Sequence, residues 1–344
     1  MGLSIRKTLT AAALAATALT ATTASAQVIR QGGIPWPEPA CDRACLIAKM
    51  DAYLDAMVAD DSDNAMFARS VRFTENGVEM PLGNEGLWAS AAARGNYKFY
   101  VADEQTQTIT FMGTMMEEAR AGSTASDAVI QPIGVDVRLK LNDDGLISEV
   151  EQLVARPDRP LRGEATPSPF GDLGTNVEAM GAPHPIFNQI IPENERMSRE
   201  DLVAVTNHYF EAMQRNDGQG YYPFTDDCLR HENGSVSAGR QGEPGVGPNT
   251  MECKEQFENS LLGVVTGIRD RRVVAVDPER GLTYAFAFFD HRPINWTWQL
   301  GEIFKIENNQ IRRIEAIFFR GPYGMCSGWS TYEQCRSEEV QDVR

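Results

Sequence analysis

Histidine is the side chain poised to exchange protons near neutral pH, and His208, His231 and His291 all fall after residue 198. His231 is the candidate general base or acid, with His291 or Asp290 as the second proton-handling group. Arg230 or Arg292 would stabilise a developing anion, Asn233 would donate a hydrogen bond, and Tyr209, Tyr222, Trp296 and Trp298 are candidate aromatic walls. The plainer alternative places the histidines on the surface or in structural hydrogen bonds, and the aromatics in the core. Strand parity constrains the choice. Leu229, His231 and Asn233 share one face, so an inward Leu229 brings His231 inward and turns Arg230 and Glu232 away. Asp290 and His291 point to opposite faces, so both serve one cavity only if the strand ends there. Earlier in the chain, Glu75, Asn76, Trp88, Tyr97 and Tyr100 form a parallel set without histidine; Asn-Gly after a strand is equally a plain turn signal. The chain has no Gly-x-Ser-x-Gly elbow, P-loop or His-Glu-x-x-His helix. Gly242 to Gly247 lacks the strand-then-helix setting of a dinucleotide loop, and no cofactor is expected.

These residues sit on a repeated frame. Leu46 to Met57 aligns without gaps to Leu202 to Met213, pairing Tyr53 with Tyr209. Glu75-Asn76-Gly77 then matches Glu232-Asn233-Gly234, Val101-Ala-Asp103 matches Ala275-Val-Asp277, and Ile147 to Arg156 matches Ile311 to Arg320. The histidines of the second copy align with Ala52, Thr74 and, approximately, Glu117. Parity differs by one residue between the copies around Glu-Asn-Gly, which a bulge in one of them would reconcile. Leu202, Val205, Tyr209, Phe210 and Met213 have helical spacing, with Ser198 and Asp201 as a cap. The pattern then turns to period two. Arg272–Asp277 with Leu282–Phe289, and Glu302–Ile306 with Ile311–Phe319, read as hairpins. Each copy is therefore expected to be α+β, with helices on one face of a curved antiparallel sheet. The first would span 40–156 and the second 198–344. Residues 157–197, dense in proline, would be an extended linker without regular helix, or a lid. Glu151 and Glu315 are expected to pair with Arg156 and Arg320 for structural reasons.

Residues 1–26 read as an export signal: Arg6 and Lys7, a short apolar run, then Ala24-Ser25-Ala26. The run is too short for a membrane anchor. The formal net charge is −16, which disfavours nucleic-acid partners. No membrane association is expected. The even count of 6 cysteines points to disulfides in an oxidising compartment, periplasmic or secreted. Cys326 with Cys335 and Cys228 with Cys253 are the expected pairs. Cys41 and Cys45 are near the limit of a bridge at helical spacing and could pair elsewhere. A zinc site is the alternative for the cysteines, without supporting CxxC pairs or closely spaced histidines.

Helices followed by a curved sheet with Glu-Asn-Gly on the entry strand resemble the nuclear transport factor 2-like (SnoaL-like) superfamily. Cys41-x3-Cys45-Leu, Phe73-Thr-Glu-Asn-Gly77, Gly86-Leu-Trp88, Arg138-Leu-Lys-Leu and Tyr323-Gly-Met-Cys-Ser-Gly-Trp329 are similar to an exported two-unit branch of it. The resemblance implies two tandem cone-shaped units, packed as an intramolecular pseudo-dimer, each with a cavity under its sheet. It also implies a cofactor-independent lyase, dehydratase or isomerase acting on a small aromatic compound. By analogy that compound would be lignin-derived, and the reaction one that releases formaldehyde. A non-catalytic small-molecule-binding or assembly module is the alternative on the same scaffold.

Overall fold

Two residues with short oxygen-bearing side chains start the two long helices. Asp42 accepts the amide of Cys45 at the head of α1 (Arg43–Ala59), and Ser198 accepts that of Asp201 at the head of α3 (Arg199–Arg215). Between them lies α2 (Leu173–Met180), and α4 (Cys253–Asn259) follows later. The structure, a computed structural model, describes residues 41–64, 66–120, 128–157, 172–259 and 265–344. The expected export signal lies outside the described residues, as does 158–171 of the proline-rich stretch.

The first copy's strands are β1 (Phe67–Glu75), β2 (Val78–Glu79), β3 (Ala91–Asp103), β4 (Thr108–Arg120), β5 (Ala128–Leu141) and β6 (Ile147–Ala155). They form one sheet in the order β2-β1-β6-β5-β4-β3. The second copy adds β7 (Phe224–Glu232), β8 (Ser235–Gly239), β9 (Gly267–Asp277), β10 (Leu282–His291), β11 (Trp296–Glu307) and β12 (Gln310–Pro322). These, with β13 (Gln341–Asp342), take the order β13-β9-β10-β11-β12-β7-β8, the same wiring with one added edge strand. Pro39–Arg344 clusters as a single compact body.

The expected α+β fold of cone-shaped units with helices on antiparallel sheets is corrected by this topology. Strand accounts for 44% and helix for 24% of the described residues, and both sheets are mixed. β1 runs parallel to β6, β7 to β12 and β13 to β9. Period-two patterning reveals strands but not their neighbours, and the entry strand of each copy pairs with the last strand rather than the next long one. The proline-rich stretch also holds a helix. Gly181 ends α2 ahead of Pro183, so 173–180 is free of proline.

The two sheets face each other through matched contacts. Arg199 at the start of α3 donates to Asp103 of β3 at 2.5 Å, and Arg43 at the start of α1 donates to Asp277 of β9. The repeated Val-Ala-Asp and Ala-Val-Asp segments thus supply each other's helix anchor. Glu151 of β6 accepts both Nη atoms of Arg272 of β9 at 2.7 Å, and Glu315 of β12 accepts Tyr97 of β3. Arg156 binds Glu75 and Glu117, while Arg320 lies over Trp296. The expected Glu151–Arg156 and Glu315–Arg320 pairs are replaced by these, because the glutamates face the opposite sheet.

Three disulfides join Cys41 to Cys45, Cys228 to Cys253 and Cys326 to Cys335. Cys41 precedes the helix rather than lying within it, which allows a Cα separation of 5.2 Å. Three bridges fit an oxidising, extracytoplasmic setting. No helix among the described residues is long and apolar enough to cross a membrane.

Candidate functional site

In β11, Leu300, Glu302 and Phe304 share one face by strand periodicity, so the carboxylate enters the core with its apolar neighbours. Tyr209 of α3 meets it there, its hydroxyl donating to Glu302 Oε1 at 2.6 Å. Arg230 of β7 lies beside them, donating to Glu232 and, at 2.7 Å, to Gln256 Oε1 on α4. Phe257, also on α4, is the common neighbour. Its ring centroid lies 5.2 Å from that of Tyr209 and 6.3 Å from that of Tyr222, and the Arg230 guanidinium is 5.6 Å away. The Cys228–Cys253 bridge ties α4 to β7 and so fixes Phe257 and Gln256 against Arg230.

Burial governs the charges in this cluster. It pushes the Glu302 carboxyl up to about 8, against the opposing pull of Arg230 and the Tyr209 hydrogen bond. Burial likewise holds the Tyr209 hydroxyl well above its ordinary range, so it stays a donor. Glu302 therefore carries a proton at neutral pH, because leaving an ion in so dry a place costs several kcal/mol. Three buried polar atoms here have no hydrogen-bond partner among the described residues: Glu302 Oε2, Arg230 Nε and Tyr222 Oη. Buried polar groups are normally satisfied, so each of these three atoms keeps unused hydrogen-bonding capacity.

The residues expected to act divide between the two faces of the sheet. Tyr209, Tyr222 and Arg230 belong to the cluster, and Trp296 and Trp298 share the Glu302 face of β11 by periodicity. His291 stacks on Trp298 with ring centroids 4.0 Å apart, on that same face. His231 does not join them. It stands opposite Glu315 on the other face of β7, its imidazole pushed down to about 4 by burial and then by Arg313 and His184. Leu229 and His231 share a face and Arg230 takes the other, the one toward α4, because Cys228, Leu229 and Arg230 are all buried and Leu229 marks no single inner face. Asp290 is held by Arg269 through two hydrogen bonds and by the Thr297 hydroxyl, a structural ion pair. Arg292 and His208 are exposed.

Asn233 and Asn76 are turn residues whose side chains are engaged by backbone. Both adopt left-handed backbone, with φ of 48° and 52°. Each clamps the last strand of its copy through its side chain: Asn233 with both backbone groups of Phe318, Asn76 with both of Val154. The glycines that follow are needed for closeness. A Cβ at Gly77 would lie 2.2 Å from the carbonyl oxygen of Cys326, and one at Gly234 would lie 2.3 Å from the backbone of α2.

In the first copy the corresponding position is closed. Tyr53 donates to Gln152 Oε1 at 2.9 Å and accepts from Trp88 at 3.1 Å. Glu75 accepts from Gln152, from the Leu87 amide and from Arg156. Tyr97 reaches instead to Glu315, and Tyr100 to Asp51. Register aligns Val137 with Glu302 and Phe73 with Arg230, so the first copy lacks the central acid and cation. Glu302 and Gln256 were missed by sequence reasoning. The Leu300-x-Glu302-x-Phe304 alternation was the available signal for the first; nothing local marks the second. Among the described residues, no group of three His, Cys, Asp or Glu side chains is placed to hold a metal.

A family model described as a domain of unknown function, DUF8021, matches residues 40–154 and 195–318. The chain belongs to the DUF8021 family. The two matched segments of this DUF8021 chain correspond to its two copies, one with the closed cluster and one with the orphaned atoms. No curated protein matches it. Among solved structures it is similar to a de novo designed protein with a curved β-sheet. That match has 16% identity and a TM-score of 0.26, and covers 36% of this chain and 88% of the other.

Proposed function

We propose that this protein is an exported, cofactor-independent acid–base enzyme, a lyase, dehydratase or isomerase acting on a small aromatic compound at the Tyr209–Glu302–Arg230 cluster. The observation that supports the proposal is that Glu302, Arg230 and Tyr222, linked through Tyr209 and Phe257, each keep one buried polar atom without a partner among the described residues. A protonated Glu302, the Arg230 guanidinium and the Tyr222 hydroxyl are donors suited to an oxygen that gains charge during reaction. The aromatic rings suit a planar substrate body. Glu302 replaces His231 as the proton-handling residue in this reading, with a carboxyl poised near neutral pH for transfer in either direction. Kinship with the nuclear transport factor 2-like superfamily and the packing of the copies as a pseudo-dimer are parts of the same proposal. The reciprocal Arg43–Asp277 and Arg199–Asp103 pairs support the latter. Release to the periplasm or medium is also proposed, supported by the three disulfides.

The test is incubation of purified protein with hydroxylated aromatics and lignin-derived dimers, following product and formaldehyde. Glu302→Gln should lower turnover by about 10²- to 10⁴-fold, and His231→Ala should leave it near the parent rate. Parent-like turnover by Glu302→Gln would remove the assignment. The alternative, a binding module, is supported by the closed first copy; it predicts binding of such compounds without product.

A further inference from the structure

β9 is interrupted where Arg269 and Arg272 pair with Phe288 and Phe286 of β10, so one extra residue is accommodated. Asp270 takes up the irregularity with a φ of 51°. It is locked there by Ser327 at 2.7 Å, by Gln341 at 3.0 Å and through its own amide to Ser337 at 2.8 Å. Such a bulge re-aims the next side chain. Arg271 turns toward α3, where it is buried to 3% exposure at the base of a groove of about 810 Å³ between α3 and Ser337–Val340.

The partners of Arg271 are all neutral: Asn207 Oδ1 at 3.1 Å, Gln214 Oε1 at 3.0 Å and the Ile268 carbonyl at 3.0 Å. Among the described residues, no carboxylate forms an ion pair with it. The first copy handles a comparable arginine differently. Arg94 of β3 pairs with both Asp51 and Asp55 of α1. The residue aligned with Asp51 is Asn207, and the one aligned with Asp55 is Glu211. Glu211 is engaged by Asn207 Nδ2 at 2.8 Å and by His208 at 3.3 Å. A buried guanidinium with donor capacity to spare calls for an anion, while Glu211, Glu338 and Glu339 line the same groove. Those carboxylates repel a simple anion and attract a cation.

We propose that this groove binds a small zwitterion of the α-amino-acid type, with its carboxylate on Arg271 and its ammonium between Glu338 and Glu211. Binding here uses no residue of the Tyr209 cluster and is independent of the reaction proposed above. Calorimetric titration of the full chain with glycine, alanine and glutamine, against acetate and ethylamine as one-charge controls, tests it. The amino acids should bind at least about ten-fold more tightly than either control. Arg271→Gln should lose that binding. Asn207→Asp rebuilds the first copy's ion pair on a half-buried helix position, so it should keep the parent melting temperature and still weaken binding by about ten-fold or more. Absence of amino-acid binding, equal binding of acetate, or parent-like binding by a folded Asn207→Asp would each overturn the proposal.

Discussion

Tyr53 and Tyr209 occupy the same position in two copies of one unit, yet they end in opposite chemical situations. Around Tyr53 every acceptor and donor finds a partner: Gln152, Trp88, Glu75 and Arg156 form a closed network. Around Tyr209 a carboxyl, a guanidinium and a phenol each leave one atom without a partner among the described residues. A duplicated unit can keep one copy as scaffold while the other carries buried polar groups with hydrogen-bonding capacity to spare. Three of the differences between the copies fall at the centre of the cluster. Val137 corresponds to Glu302, Phe73 to Arg230 and Gln152 to Ala316, exchanging a self-contained hydrogen-bond network for a charged cluster beside a small residue.

The largest expected effect concerns the contacts that the copies share. Arg199→Met leaves Asp103 buried without its main cation and should destabilise the fold by about 3–5 kcal/mol. Arg43→Met should cost less, because Arg43 is 24% exposed and Arg280 also lies 3.6 Å from Asp277. Urea denaturation of both variants checks the order; equal losses would mean that the two anchors are not as different as their burial.

Next comes the closed network. Glu75→Gln removes the charge that meets Arg156 and should lower stability by about 1–3 kcal/mol, while turnover at the second copy is unchanged. A loss of turnover at full stability would show that the first copy takes part in the chemistry.

The third expected effect is a slope of stability with pH. Glu302 has a folded value of about 8, above the roughly 4.3 of an unfolded glutamate. Its folded state holds the proton more tightly, so the stabilisation is complete below about 4.3 and is lost as pH rises through about 8. Glu315, pushed up to about 7 by burial, acts in the same direction. His231, held down at about 4, acts oppositely: its contribution is present above roughly 6.5 and is lost as pH falls toward 4. Glu302→Gln should flatten the decline of stability between about pH 4.3 and 8, measured by denaturation at a series of pH values. An unchanged slope would place the proton elsewhere.

The repeat was legible because its landmarks answer to geometry. Asn-Gly is required where backbone turns left-handed against a neighbouring chain, and the repeated aspartates are required where a helix arginine docks. Cys228–Cys253 and Cys326–Cys335 were legible from their placement within one copy. The sheet arrangement was not, since nothing in the local pattern of β1 or β7 names a parallel neighbour many residues away. The Arg230 face of β7 was not legible for a related reason. Burial on both faces of β7 removes the inside-outside alternation that parity reasoning needs. Glu302 escaped notice because charged residues in strands ordinarily face water, although its flanking Leu300 and Phe304 already fixed its direction.

Removing one hydroxyl at the matched position of each copy tests the division of roles most directly. Tyr53→Phe and Tyr209→Phe, titrated with the same hydroxylated aromatics by calorimetry, should separate cleanly. Tyr209→Phe is expected to lose about ten-fold or more in affinity, and Tyr53→Phe to bind as the parent does. Parent-like affinity in Tyr209→Phe, or a loss confined to Tyr53→Phe, would contradict the assignment of the ligand site to the second copy.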